Sequence, residues 1–197
     1  MPVLHQRGQK AGQICKRLLQ DERHSGGDRQ TAARGRTGGR KMIELDPKVK
    51  EALIKIDFVK RYEELSHKYD SNRTPEEERL VYLDGEEVME TIANLGYKPK
   101  FDSKEKFFKI EEEKLCNFTF GFHIILRDGA ADFVWVVKDN DKLLLGSPWG
   151  RYSRLLINPQ YLIKRPIFGD YDDIDKILKI AFQMYEDFKK AMISVSN

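Results

Sequence analysis

Residues 117–127 read Asn-Phe-Thr-Phe-Gly-Phe-His-Ile-Ile-Leu-Arg. On an extended chain this puts Phe118, Phe120, Phe122, Ile124 and Leu126 on one side and Thr119, Gly121, His123, Ile125 and Arg127 on the other. A face carrying three phenylalanines and two aliphatic residues needs a second layer to cover it. Asp128-Gly129 follows at once, a short-range hairpin signal, and Asp139-Asn140-Asp141 tolerates the left-handed backbone of a second tight turn. Strands are therefore expected at 107–114, 117–127, 133–138 and 142–146, forming a four-stranded antiparallel meander.

Helical periodicity flanks this region. Asp46-Pro47 has the pattern of an N-cap with proline at the first helical position, and Val49, Leu53, Ile56, Val59 and Leu65 then recur at helical spacing, predicting a first helix to about Tyr69. Thr74-Pro75-Glu76-Glu77 has the spacing of a capping box. It predicts a second helix with Leu80, Val81, Val88, Met89, Ile92 and Leu95 along one stripe, a kink at Gly85 and a left-handed end at Gly96. Asp170 caps a last helix, whose face of Ile174, Ile177, Leu178, Ala181, Phe182, Tyr185, Phe188 and Met192 is strongly amphipathic. The order ααββββα implies an α+β fold with all helices on one face of the sheet.

Composition divides the chain at Met42. The first 41 of the 197 residues carry ten Lys and Arg against three Asp and Glu and hold seven of the fourteen glycines; the remainder has 25 against 29, a net charge of −4. Residues 1–41 lack an apolar face to bury and are expected to be a disordered basic tail or a stretch upstream of a native start at Met42. A single α+β domain is expected over 42–197. Cys15 and Cys116 lack ligand or disulfide spacing, and no apolar run reaches the 18 or so residues of a spanning helix. A reducing cytoplasmic setting is the simplest expectation, with no membrane, metal or cofactor.

Candidate chemistry is sparse. His123 is the only histidine in the expected sheet, so a hydrolase or transferase site would pair it with a carboxylate such as Glu111, Glu113 or Asp132 across neighbouring strands. The other body histidine, His67, has no metal-ligand spacing to it. Cys116 and His123 lie seven residues apart on one strand, about 23 Å at 3.3 Å each, too far for a nucleophile–base pair. The acidic runs Glu111–Glu113 and Asp172, Asp173, Asp175 have plain electrostatic readings as solvated charge and helix N-terminal charge.

The segment Gly146-Ser147-Pro148-Trp149-Gly150-Arg151-Tyr152-Ser153-Arg154 lacks phosphate-loop spacing. As a loop it offers Trp149, Arg151, Tyr152 and Arg154, the residue types favoured at interface hot spots. The leading expectation is thus a non-catalytic module that binds an unidentified protein, as bacterial immunity proteins and antitoxins do. The acidic body would suit a basic partner such as a nuclease. Nucleic acid would be engaged only through residues 1–41, with a steep salt dependence.

Overall fold

The computed structural model describes residues 44–196; the expected basic tail lies outside the described residues. The chain runs α1 (Pro47–Lys55), α2 (Phe58–Lys68), a 3-10 turn at Glu76–Glu78, α3 (Gly85–Asn94), strands β1 (Pro99–Asp102), β2 (Phe107–Ile110), β3 (Glu113–Leu115), β4 (Phe118–Arg127), β5 (Ala130–Asp139) and β6 (Lys142–Leu145), then α4 (Trp149–Leu156) and α5 (Tyr171–Ser194). This is the expected α+β class, with more elements than the periodicity predicts.

The sheet is antiparallel in the order β1-β2-β4-β5-β6, and β3 also pairs with β4. β4 and β5 form its spine, joined in ten pairs from Phe118↔Asp139 to Arg127↔Ala130. Asp128 and Gly129 close the hairpin with φ of 54° and 70°, the two successive left-handed residues that the Asp-Gly signal implies. The expected first strand is two strands. Lys109 pairs with His123 but Glu113 pairs with Phe120, so the register slips by one residue at Glu111-Glu112, a bulge that breaks the run.

The face predicted to be aromatic meets the helices. Phe122, Phe133 and Trp135 pack with Phe58 of α2, Trp149 and Tyr152 of α4, and Phe182, Tyr185 and Phe188 of α5 in one continuous core. A smaller cluster of Phe107, Ile125, Val134 and Val136 occupies the opposite face.

Three helix expectations need correction. The first helix breaks at Asp57, whose φ of 52° is left-handed, so α1 and α2 are separate helices that turn around the core. The capping box at Thr74 starts no α-helix. Its 3-10 turn ends at Arg79, and the Leu80 N–H donates to Phe168 O at 3.3 Å, a long-range bond that holds this stretch extended. Gly85 is accordingly the first residue of α3 rather than a kink, and Asp84 caps it by accepting from Glu86 N at 2.8 Å. The third correction is α4, which forms where a loop was expected.

Two charged clips tie distant segments together. Lys189 of α5 lies in the core margin and donates to Glu113 of β3 at 2.6 Å, with Glu186 2.8 Å away. At the other end of α5, Arg73 grips the buried Asp173 through both carboxylate oxygens at 2.6 and 2.9 Å, and Gly169 N–H adds a third donor at 3.1 Å. Burial alone would raise the Asp173 pKa, but the Arg73 and Gly169 donors outweigh it and hold the carboxyl below its ordinary 3.8. A depressed carboxylate stabilises the fold above its unfolded pKa and loses that contribution as pH falls through the lower folded value. Asp173→Asn should therefore cost about 2 kcal/mol at pH 7, and the gap from wild type should close below pH 3.8. Urea midpoints at the two pH values check this.

Candidate functional site

The segment expected to present a binding loop is instead folded inward. Pro148 supplies an extended lead-in, and Trp149, Tyr152 and Ser153 fall on the buried side of α4. Trp149 and Tyr152 are both 0% exposed. Trp149 sits among Phe133 (4.7 Å between ring centroids), Trp135 (5.0 Å), Tyr62 (5.3 Å) and Phe58 (5.4 Å). The Tyr152 hydroxyl donates to Trp135 O at 3.1 Å. Neither aromatic can meet a partner without leaving the core, so the aromatic half of the expected surface is corrected to structural. Arg151 and Arg154 remain half-exposed on the outer side of the same helix.

The enzyme constellation is not brought together. His123 lies on the sheet face away from the helices, 5% exposed, stacked on Phe107 with centroids 4.5 Å apart. Val134 is its cross-strand partner, whereas Asp132 pairs with Ile125, a diagonal offset of about 7 Å. Glu111 is drawn to Lys98 at 3.4 Å, Glu112 to Lys138 at 2.8 Å and Glu113 to Lys189 at 2.6 Å. The His123 Nδ1 is buried without a hydrogen-bond partner among the described residues. Cys116 is exposed in the β3–β4 turn, beyond the far end of β4 from the hairpin tip. Among the described residues no group of three or more His, Cys, Asp or Glu side chains is placed to hold a metal ion, and no helix is long and apolar enough to cross a membrane.

A different feature emerges at the hairpin end of the sheet. A cleft of about 690 Å³ opens between the β4–β5 tip, the β1–β2 turn, the end of the 3-10 turn and the irregular stretch before Phe168. Each wall has a local cause. Asp102 builds the β1–β2 turn by accepting from Glu105 N at 3.1 Å through its side chain and from Lys106 N at 2.7 Å through its carbonyl. Lys106 takes a left-handed φ of 60° there. The irregular stretch is pinned to β5 because Ala131 N–H donates to Pro166 O at 2.9 Å.

The cleft walls are cationic. Among the described lining residues are Arg79, Lys104, Lys106, Arg127, Arg154, Lys164 and Arg165, against the carboxylates Glu105, Asp128 and Asp132. Arg127 is close to Asp128 at 3.4 Å. Arg79, Lys104, Lys106, Lys164 and Arg165 form no ion pair with a described residue. Leu162 adds an apolar contact, 66% exposed on the rim. Of the expected site residues, Arg154 and Asp132 line this cleft; His123, Glu111, Trp149, Arg151 and Tyr152 are not among its lining residues. Its other cations were not singled out by sequence, because they come from four separate segments.

The chain matches no family model, and no curated protein or solved structure resembles it at a significant level.

Two outcomes are expected from these placements. Trp149→Ala should destabilise the fold by about 3–5 kcal/mol, as for a large side chain removed from a core, whereas Arg151→Ala should stay within about 0.5 kcal/mol of wild type. Chemical denaturation of both variants separates core from surface. Burial, aided by the Lys109 charge, lowers the His123 pKa from 6.5 to about 4. The folded state thus binds fewer protons than the unfolded state between those values, and stability should be full above 6.5 and decline as pH falls toward 4. In His123→Leu that decline should disappear, as read from thermal unfolding between pH 4 and 7.

Proposed function

We propose that this chain is a non-catalytic binding module for a protein partner, of the immunity or antitoxin kind in which a rigid surface occludes another protein. The observation that carries the reading is the convergence of Arg79, Lys104, Lys106, Lys164 and Arg165, none in an ion pair with a described residue, on one concave surface of a body whose net charge is −4. Some lysines elsewhere are paired internally, as by Glu111, Glu112 and Glu113. An excess of cations over carboxylates in a cleft raises the local potential and steers an oppositely charged partner.

The net acidity of the body suggested a basic partner, but the distribution of charge favours an acidic one. Net charge averages over the whole surface, whereas recognition depends on the potential where contact occurs. Exposed Leu162, with Ile157 nearby in sequence and 53% exposed, supplies apolar area of the kind that gives an interface its core.

The test is affinity purification of the full 197-residue chain with quantitative mass spectrometry, beside Lys164→Glu/Arg165→Glu and a control outside the cleft lining, Lys179→Glu. A partner retained by wild type and the control but reduced at least about tenfold by the double reversal is expected, since close like-charge contacts cost several kcal/mol. Equal recovery with the double reversal, or no partner with any form, would sink the reading.

A further inference from the structure

One cation in the cleft is held differently from the rest. After the 3-10 turn, Arg79 is extended, with φ −76° and ψ 138°. The next residue, Leu80, donates to Phe168 O at 3.3 Å, and Phe168 N–H donates to Gly129 O at 2.9 Å. This ladder lays the Arg79 stem across the tip of the β4–β5 hairpin. A Cβ at Gly129 would stand 2.4 Å from the Arg79 Cβ and 2.9 Å from its Cγ, so the crossing needs glycine there as much as the φ of 70° does. Among the described residues the buried Arg79 Nε has no hydrogen-bond partner and the guanidinium pairs with no carboxylate. A stem fixed against the hairpin tip and a guanidinium without a described counter-charge, in the lining of a cationic cleft, are elements of a preorganised oxyanion receptor.

Resting on the reading of the cleft as a protein-binding surface, we propose that Arg79 anchors a carboxylate on an extended acidic segment of the partner. Lys164 and Arg165 on one wall and Lys104 and Lys106 on another hold further positive charge for acidic side chains along that segment. Two features favour a peptide over a nucleic acid. Glu105, Asp128 and Asp132 divide the cationic lining into separate positive groups, which suit discrete acidic side chains better than a continuous phosphate backbone. The aromatic residue among the described lining, Tyr62, is 1% exposed and offers no platform for base stacking. Exposed Leu162 instead suits an apolar side chain placed between acidic ones.

Fluorescence anisotropy with the full-length chain tests this, using a labelled twelve-residue peptide of alternating Glu and Leu, its Gln-for-Glu counterpart and a single-stranded oligonucleotide. The acidic peptide should bind at least about tenfold more tightly than either comparator. Arg79→Met and the charge-conserving Arg79→Lys should each weaken it about tenfold, because lysine cannot reproduce the fork, while Lys104→Met on the exposed rim should weaken it only about twofold. Circular dichroism and urea unfolding confirm that each variant is folded. Arg79→Met binding as wild type, while Lys164→Glu/Arg165→Glu abolishes binding, would remove Arg79 as the anchor and leave the cleft reading standing. An oligonucleotide bound more tightly than the peptide, or no binding of the acidic peptide to wild type, would overturn the peptide proposal itself.

Discussion

The register between β4 and β5 is the constraint on which the rest of the molecule depends. Ten consecutive pairs radiate from one two-residue turn, and the side-chain period of two means that a slip of one residue would exchange the two faces. Phe118, Phe120, Phe122, Ile124 and Leu126 would then point away from the helices, and His123 and Arg127 toward them. Asp128 and Gly129 prevent this by adopting left-handed conformations that fit the right-handed twist of the flanking strands. The helices therefore have one surface to pack on, built from alternate residues of β4 and β5.

What anchors the helices to that surface is aromatic packing rather than hydrogen bonding. Trp149 and Trp135 touch each other and share Phe58 as a neighbour, which joins α4, β5 and α2 in one contact group. Both indole N–H groups are buried without an acceptor, as is the Tyr185 hydroxyl. Each such group costs about 1–3 kcal/mol, so the burial of large rings must outweigh it. The arrangement is consistent with aromatic side chains that each bury about 150–250 Å². Charged clips work at the periphery, where Lys189 and Asp173 fix the two ends of α5 against β3 and the Arg73 turn.

These differences explain what the sequence could reveal. The long strands, the Asp-Gly turn, the cap at Asp170 and the left-handed Gly96 were legible because each is decided within a few residues. The capping box at Thr74 misled because a distant carbonyl, Phe168 O, competes for the Leu80 N–H and wins. The Gly146–Arg154 stretch suggested a loop through its glycines and proline, yet Trp149, Tyr152, Ser153 and Leu156 have the i, i+3, i+4, i+7 spacing of a helix face. That signal was present and was outweighed by the punctuating residues. The cleft had no comparable signal: Arg79, Lys104, Lys106, Lys164 and Arg165 become neighbours only when the sheet and the irregular stretch are folded.

Gly129 connects the sheet register to the cleft. Its positive φ closes the hairpin that fixes the sheet register, and its missing side chain lets Arg79 cross the hairpin tip. The carbonyl of the same residue accepts from Phe168, whose own carbonyl holds Leu80 and so keeps Arg79 extended. A larger residue at this position would act on the turn and on the guanidinium together, through the same backbone atoms. The cationic cleft is thus not an appendage to the fold. Its most constrained side chain is set by the turn that determines which face of the sheet becomes the core.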